Sequence, residues 1–283
     1  PSCRMVSGDK ANAPVNSRFL MVAPASIARL PCCQVTQVRN GITTVSNNIQ
    51  GSRIVAEAAH ACGVDTYVLV STDKAVRPTN VMGASKRVAE MLLQCQGSNP
   101  NIRTKFAVVR FGNVVGSVGS VVPLFKKQIE IGGPVTVTHP EVTRYFMTIP
   151  EACQLILQAG ALCHEQVEIF ILDMGKPIKI ADLARDLIRL SGFEPDVDIK
   201  LEFIGMRPGE KLFEELITEG EGIVKTNHEK IMTLHGQKCS LKMLNGKIDE
   251  LGQLAAEQNA EKIRSKIKEM VADYQPYDHY PIR

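Results

Sequence analysis

Tryptophan is absent from this 283-residue sequence, and the net charge is only +3. The lysine and arginine side chains are scattered along the chain and are not interleaved with aromatic residues. Proteins that bind nucleic acids usually concentrate basic residues on one face or along one helix. The composition therefore argues against a nucleic-acid partner, although local groups of Arg and Lys could still bind a phosphorylated small molecule.

Patterns for metal binding and membrane spanning are lacking as well. The eight cysteines form no Cys-x-x-Cys pair, and no histidine stands at zinc-ligand spacing from them. No apolar run approaches the roughly 20 residues that cross a bilayer, and the start at Pro1–Arg4 shows no signal-peptide pattern. We therefore expect no metal and a cytoplasmic chain, with cysteines serving as small apolar side chains in a reducing compartment.

A further absence concerns cofactor binding. No Gly-x-Gly-x-x-Gly turn follows a strand anywhere in the sequence, whereas dinucleotide-binding domains use this turn to hold the pyrophosphate. Residues 1–40 show no convincing helix period and no clean strand before a Gly-rich turn. We predict that residues 1–40 are an atypical or aberrant N-terminal segment and that the first βα unit is missing.

From Asn48 onward, helical and strand patterns alternate regularly. The predicted elements are a helix at Ile49–Cys62, a strand at Thr66–Ser71, a helix from Asn80 through Leu93, a strand at Phe106–Arg110 and a helix at Val121–Ile131. This alternation predicts an α/β fold with a doubly wound parallel sheet. Residues 41–142 are predicted to be an incomplete dinucleotide-binding domain that carries the catalytic residues. Residues 143–283 are predicted to be a smaller substrate-binding lobe with a helical tail.

Four polar residues, Ser71-Thr72-Asp73-Lys74, directly follow the first of these strands. Ligands of doubly wound sheets bind outside the carboxyl ends of the strands, so these side chains are expected in a cleft. A hydroxyl, a carboxylic acid and an amine could supply orientation, acid and base, although a polar exit from a strand is common without any function. On the next helix, Met82 and Lys86 are four residues apart and share a face.

These residues resemble the extended short-chain dehydrogenase/reductase superfamily, a Rossmann-like group. The string from Val68 to Glu90 is similar to the UDP-N-acetylglucosamine 4,6-dehydratases of bacterial capsule and O-antigen biosynthesis. Further matches follow in order at Arg110–Val114, Gly116–Ser120, Gly133–Pro140, Thr143–Thr148, Arg207–Lys211 and Thr226–Lys230. The resemblance covers the chain from about Asn48 to its end and points to the large membrane-anchored branch. It implies NAD or NADP as cofactor, a UDP-sugar substrate, a homo-oligomer, and a membrane anchor only through a region absent from this chain.

The resemblance also implies catalytic roles. The family oxidises C4 of the sugar, eliminates water across C5 and C6, and returns hydride to C6. By position, Lys74 is the base at C5, Asp73 is the acid at the leaving hydroxyl, and Thr72 orients the C4 hydroxyl. Burial is expected to leave Lys74 neutral and Asp73 protonated, as these roles require. Met82 replaces the tyrosine that most of the superfamily uses as proton acceptor, which is typical of the large branch and leaves Lys74 or a water held by Thr72 as the acceptor.

Cofactor and substrate contacts follow from the same matches. Lys86 is implied to hold the nicotinamide ribose, with Asn48 and Ser71 also near the cofactor, although a helix N-cap explains Asn48 equally well. The substrate-binding residues implied by the matches are Asn113, Arg144 and Arg207, with Arg suited to a diphosphate. The arginines could instead form salt bridges, and Asn113 could cap a loop.

Two other functions remain open. A nucleotide-sugar epimerase on the same fold is disfavoured by Asp73 and Lys74, because epimerisation at C4 needs no elimination acid. A non-catalytic nucleotide-sugar-binding fragment is favoured by the missing Gly-rich turn, which would hold the cofactor pyrophosphate at a helix N-terminus.

Overall fold

A computed structural model describes residues 19–22, 42–117, 120–217, 222–235 and 240–276 of the chain. The strands in chain order are β1 (Phe19–Val22), β2 (Thr66–Val70), β3 (Lys105–Arg110), β4 (Asn113–Val114), β5 (Val135–Val137), β6 (Thr143–Arg144), β7 (Phe146–Met147), β8 (Val167–Leu172), β9 (Ile178–Lys179), β10 (Leu201–Phe203), β11 (Ile223–Lys225) and β12 (Ile231–His235). The central sheet has the order β1-β2-β3-β8-β12-β11. The strands from β1 to β8 are parallel neighbours, and β12 and β11 add an antiparallel edge.

The helices match the sequence pattern closely. A π-helical turn at Val45–Gln50 continues into α1 (Gly51–Ala61), followed by α2 (Val81–Gly97), α3 (Val121–Glu130), α4 (Ile149–Ala161), α5 (Ile180–Leu190), α6 (Leu241–Ala256) and α7 (Ala260–Met270). Polar side chains begin several of them: Asn80 Oδ1 accepts from Gly83 N at 2.9 Å, and Asn259 Oδ1 accepts from Lys262 N at 3.1 Å. Such caps satisfy N–H groups that the first helical turn leaves unpaired.

The strand pattern places helices on both faces of the sheet. Successive side chains of a strand point to opposite faces, and every residue of β2 is buried. Tyr67 and Leu69 belong to the apolar cluster that includes residues of α1 and α2, whereas Val68 and Val70 belong to the cluster with α4. The predicted doubly wound α/β fold is therefore confirmed.

One strand lies within the N-terminal segment. Residues 1–40 were expected to hold no clean strand followed by a Gly-rich turn; Phe19–Val22 form β1, which pairs in parallel with β2 from Phe19 opposite Thr66 to Val22 opposite Leu69, and no glycine follows it closely in the sequence. The N–H and C=O groups along this edge of β2 pair with the backbone of β1. The remainder of the predicted atypical segment lies outside the described residues.

The predicted boundary between residues 142 and 143 falls within one sheet. Strand β8 pairs with β3, and β12 pairs with β8, so residues after 143 complete the sheet begun before it. Helices α6 and α7 pack against α2 through an apolar cluster that includes Leu92, Ile248 and Ile263. The two parts therefore share a core, and the substrate-binding role of the second part stays a proposal. Across the described ranges, no helix combines the length and the apolar character needed to span a membrane.

Candidate active site

The site forms where β2 ends. The backbone pairing with β3 continues past the strand, because Ser71 N donates to Val109 O at 2.8 Å and Asp73 N donates to Phe111 O at 3.2 Å. A 3-10 turn at Asp73–Ala75 follows, and Thr72 caps it. Thr72 Oγ1 also donates to Asp73 Oδ1 at 2.7 Å. The strand exit therefore holds the Asp73 carboxyl in a defined position, with only 1% of the residue exposed.

The amine of Lys74 is the centre of the site. Lys74 Nζ lies 3.0 Å from Asp73 Oδ1 and donates to Asn113 Oδ1 at 3.1 Å. It also lies 2.8 Å from Glu214 Oε1. The lysine side chain keeps 29% of its surface exposed, whereas Asp73 and Glu214 are almost fully buried. The structure thus brings together Thr72, Asp73, Lys74 and Asn113, and their predicted roles stay predictions.

Neighbouring charges oppose the effect of burial that was expected for Lys74 and Asp73. Burial lowers the pKa of Lys74, but the charges of Asp73 and Glu214 raise it, and the pKa ends above its usual value. Burial raises the pKa of Asp73, but the Lys74 ammonium and hydrogen bonds lower it, and the pKa ends below its usual value. Burial disfavours each charge taken alone, while direct contact between opposite charges stabilises both. Lys74 and Asp73 therefore form an ion pair.

Glu214 is a site residue that the sequence analysis missed. Its Oε1 contacts Lys74 Nζ at 2.8 Å and Arg144 Nε at 3.1 Å. Burial, followed by a hydrogen bond with Asp73, raises the pKa of Glu214 to about 7. The residue stands three positions after the matched Arg207–Lys211 segment. No local pattern links it to Asp73, so only the position beside a matched motif could have drawn attention to it.

The opposite side of the site is built by α2. Lys86 is 3% exposed, and its Nζ donates to Val70 O at 3.0 Å. Burial lowers the pKa of Lys86 to about 8, against an opposing effect of Glu90. Met82, one turn earlier, is partly exposed and carries no titratable group.

Asn48 supports this helix from the side. It is fully buried inside the π-helical turn, so the alternative reading of Asn48 as an N-cap is wrong. Its Nδ2 donates to Ser85 Oγ at 2.9 Å, and Ser85 Oγ donates to Met82 O at 2.8 Å. The predicted cofactor contact of Asn48 stays a prediction, and its hydrogen bond places it one residue from Lys86.

Ser71 belongs to a buried ionic network. Its hydroxyl donates to Glu90 Oε1 at 2.6 Å, and Arg110 forms a two-pronged ion pair with the same carboxylate at 3.0 and 2.7 Å. Burial raises the pKa of Glu90, but the Arg110 guanidinium overcomes it and lowers the pKa to about 2. The Ser71 hydroxyl is thus engaged within the protein, and its contact with a cofactor stays a prediction.

The two predicted diphosphate ligands have different surroundings. Arg144 is buried, and its guanidinium contacts Glu210 Oε1 and Glu214 Oε1, each at 3.1 Å, and Thr143 O at 2.7 Å. The side chain of Arg207 is exposed and forms no ion pair with the described residues. Arg144 would have to exchange a carboxylate for a phosphate, whereas Arg207 could bind one without such a change.

The chemistry of this arrangement is proton transfer. An amine, two carboxyls and an amide oxygen meet at the carboxyl edge of a parallel sheet, and a buried lysine lies on the adjoining helix. No group of three or more His, Cys, Asp or Glu in the described ranges could hold a metal ion. The geometry suits general acid–base catalysis on a small ligand.

Comparisons with known proteins agree with this fold. Residues 20–236 match the family described as polysaccharide biosynthesis protein. The capsular polysaccharide biosynthesis protein CapD of Staphylococcus aureus is 57% identical over 205 residues, covering 72% of this chain and 32% of CapD. The probable polysaccharide biosynthesis protein EpsC of Bacillus subtilis is 60% identical over 177 residues, covering 62% of this chain and 29% of EpsC. The chain spans about a third of the length of these relatives.

The X-ray structure of Pen from Bacillus thuringiensis is similar to this chain with a TM-score of 0.67 and 30% identity, covering 86% of this chain and 76% of Pen. The fold and the strand-end site define an α/β protein of the extended short-chain dehydrogenase/reductase class. Within that class, the chain belongs to the polysaccharide biosynthesis protein family.

Proposed function

We propose that this chain carries the acid–base site of a nucleotide-sugar 4,6-dehydratase that acts on UDP-N-acetylglucosamine in a cytoplasmic setting. The observation that carries the proposal is the contact between Asp73 and Lys74 at the carboxyl end of β2, with Asn113 bound to the same amine. An elimination needs a base and an acid that reach adjacent carbon atoms at the same time. Neighbouring side chains on one tight turn meet that requirement.

The residues on α2 fit one end of the proposed NAD or NADP. An ammonium group has three N–H donors, and among the described residues only Val70 O accepts a hydrogen bond from Lys86. The remaining donors suit the hydroxyls of the nicotinamide ribose. The sequence contains no Gly-rich turn for the pyrophosphate, so the fit is confined to this end. The chemistry that a bound nicotinamide would supply is removal of hydride from C4 and its return to C6.

The protein residues would move the protons. Transfer of one proton along the 3.0 Å contact from Lys74 Nζ to Asp73 Oδ1 converts the ion pair into a neutral amine and a carboxylic acid. The amine can then accept the C5 proton, and the acid can protonate the C6 hydroxyl so that it leaves as water. Both groups return to the ion pair, and the net change is loss of one water molecule from the sugar.

The remaining residues would position the sugar. Asn113 Oδ1 holds the Lys74 amine in place from the side of β4. The Thr72 hydroxyl, which donates to Asp73, lies on the same turn and is suited to orient the C4 hydroxyl. Arg207 is the more accessible of the two arginines proposed for the diphosphate.

The two alternatives differ in what they require of this site. A 4-epimerase has no use for an acid that protonates a C6 hydroxyl, whereas Asp73 is placed beside the base. A non-catalytic fragment that binds nucleotide sugars needs neither group. Absence of the Gly-rich turn favours that second alternative, since the turn holds the cofactor in related folds.

The test is incubation of purified protein with UDP-N-acetylglucosamine and either NAD or NADP. Formation of a 4-keto-6-deoxy sugar, detected by mass spectrometry as a loss of water, would support dehydration. A C4 epimer without loss of water would support the epimerase instead. A folded sample that binds UDP and forms neither product would support the non-catalytic fragment.

A further inference from the structure

The carboxyl groups of Asp73 and Glu214 both lie against the Lys74 amine. Lys74 Nζ contacts one oxygen of each carboxyl, Asp73 Oδ1 at 3.0 Å and Glu214 Oε1 at 2.8 Å. Asp73 Oδ2 and Glu214 Oε2 are both buried, and neither receives a hydrogen bond from any N–H or O–H group of the described residues. An ionised carboxylate can only accept hydrogen bonds. A proton on either carboxyl would lower the cost of burying these two oxygens without a hydrogen-bond donor.

The surrounding charges favour one proton in this pair. The groups that face Glu214 are Asp73 and Lys74 from the strand exit, Arg144 from β6, and Lys211 from its own segment. Lys74 and Arg144 stabilise negative charge on Glu214 Oε1, while burial and Asp73 oppose it. Two like charges in a buried site cannot both ionise without a large cost, so such pairs share a proton.

Several contacts that do not involve Glu214 hold its segment in place. Gly209 O accepts from Thr79 Oγ1 at 2.8 Å and from Asn80 Nδ2 at 3.1 Å. Lys211 Nζ donates to Val76 O at 2.8 Å, and Thr143 N donates to Leu212 O at 3.1 Å. These contacts dock the segment on both sides of the site. The segment therefore has anchors that do not depend on the Glu214 carboxyl.

We propose that Glu214 is a positioning residue for the elimination: it shares one proton with Asp73 and accepts the Lys74 proton, so that Lys74 becomes the base at C5. The inference rests on the proposed dehydration. In the competent state Lys74 is a neutral amine and one proton lies between Asp73 and Glu214. The amine takes the C5 proton, the Asp73–Glu214 pair gives its proton to the C6 hydroxyl, and water leaves. Transfer from Lys74 Nζ to Glu214 Oε1, over their 2.8 Å contact, restores the starting state.

This arrangement makes a specific pH prediction. Below the pKa of Glu214, about 7, the pair holds its proton while Lys74 is still an ammonium ion. Loss of one proton from the three groups gives the competent state, so kcat should rise with pH through about 7. In Glu214→Gln the single remaining proton stays on Lys74, because the second carboxyl that helps Asp73 to hold it is gone, so kcat falls and this rise with pH should disappear.

The experiment compares Glu214→Gln with Glu215→Gln. Glu215 is the neighbouring residue, and it pairs with Arg77 in an exposed contact outside the site. For Glu214→Gln we expect a loss of kcat of about 100-fold or more, a change in KM below about 3-fold, and a flat profile near neutral pH. For Glu215→Gln we expect wild-type kinetics. A Glu214→Gln enzyme that keeps kcat within about 3-fold and still shows the rise in kcat would overturn the inference.

A second measurement needs no substrate. Infrared difference spectra between acid and neutral pH should show a protonated carboxyl that titrates near pH 7 in the wild type and is lost in Glu214→Gln. A wild-type protein without such a band would overturn the inference even if it dehydrates the sugar. A wild-type protein with the band but no product would overturn only the proposed function. If Glu214→Gln does not fold, Glu214→Asp should show the same kinetic loss, because its shorter chain withdraws the carboxylate from Lys74.

Discussion

Gly83 lies directly against the carbonyl oxygen of Lys74. A β-carbon placed on Gly83 would come within 2.1 Å of Lys74 O, which no real side chain can do. The first turn of α2 is therefore packed onto the turn that carries Asp73 and Lys74. Because Lys86 extends from the same helix, this close approach determines the spacing between the elimination residues and the proposed cofactor side.

Replacement of Gly83 by alanine should disturb both stability and activity. The added methyl group meets backbone atoms, which cannot rotate away, so the helix must shift, at a cost of about 1–3 kcal/mol. Gly246→Ala on α6 is the matched control, because no atom lies within 4 Å of its β-carbon, and alanine in a helix should stabilise by up to about 1 kcal/mol. Urea unfolding measures the stability of both variants. Equal effects of the two substitutions would contradict the proposed packing.

Replacement of Lys74 by alanine should stop elimination without abolishing nucleotide binding. The change removes the only amine in contact with Asp73 in the described residues, and loss of a catalytic base typically costs about 100-fold or more in kcat. Product formation and UDP titration by calorimetry measure the two properties. Lys179→Ala, in an exposed pair with Glu141, is the control. Normal turnover by Lys74→Ala would show that another residue is the base.

Replacement of Glu90 by glutamine should destabilise the fold strongly. The change removes the charged Glu90 carboxylate from its buried ion pair with Arg110, at a cost of about 3–5 kcal/mol. Because the folded-state pKa is about 2 and the ordinary value is 4.5, the ion pair stabilises fully above pH 4.5 and loses its effect as pH falls toward 2. Glu141→Gln in an exposed pair should change stability little. A similar small effect for Glu90→Gln would contradict the buried pair.

Replacement of Lys86 by methionine should change how stability depends on pH. Between pH 8 and 10.5 the unfolded chain keeps the lysine proton and the folded chain releases it, so wild-type stability rises with pH in this window. The rise amounts to at most about 3 kcal/mol. Lys86→Met lacks it, whereas Lys262→Met, at an exposed position of α7, keeps it. Urea unfolding at pH 7, 8.5 and 10 would reveal the difference, and parallel curves for wild type and Lys86→Met would refute it.

Substitution of Arg144 should mainly affect stability, whereas substitution of Arg207 should mainly affect binding. Arg144→Ala leaves Glu210 and Glu214 without their buried partner, so we expect a clear loss of stability. Arg207→Ala removes an exposed side chain and should leave stability within about 0.5 kcal/mol while weakening the binding of UDP. Thermal unfolding and calorimetric titration measure the two effects. Unchanged UDP affinity in Arg207→Ala would remove Arg207 from the proposed diphosphate site.

Local patterns predicted most of the fold because local physics decides it. The β-branched run at Thr66–Val70 is buried on both faces, as expected for a parallel strand, and Asn80 caps α2 at the predicted place. Lys74 and Asn113 contact each other because both follow parallel strands that end at the same edge of the sheet, whereas the resemblance implied a substrate contact for Asn113. β1 was not predicted, because four residues are too short for a clear strand pattern, and the strand is defined by its backbone pairing with β2.

The amino-acid sequence by itself determined which groups reach the strand end: a hydroxyl, a carboxyl and an amine in consecutive positions, with a lysine one helix later. Tertiary structure decided the charges of Lys74 and Asp73. Asp73 and then Glu214, which is distant in sequence and lies 2.8 Å from the amine, raise the pKa of Lys74 against the effect of burial, while the Lys74 ammonium lowers the pKa of Asp73. The charge of a buried group depends on every neighbour that replaces its water, and those neighbours come from segments that no local pattern connects.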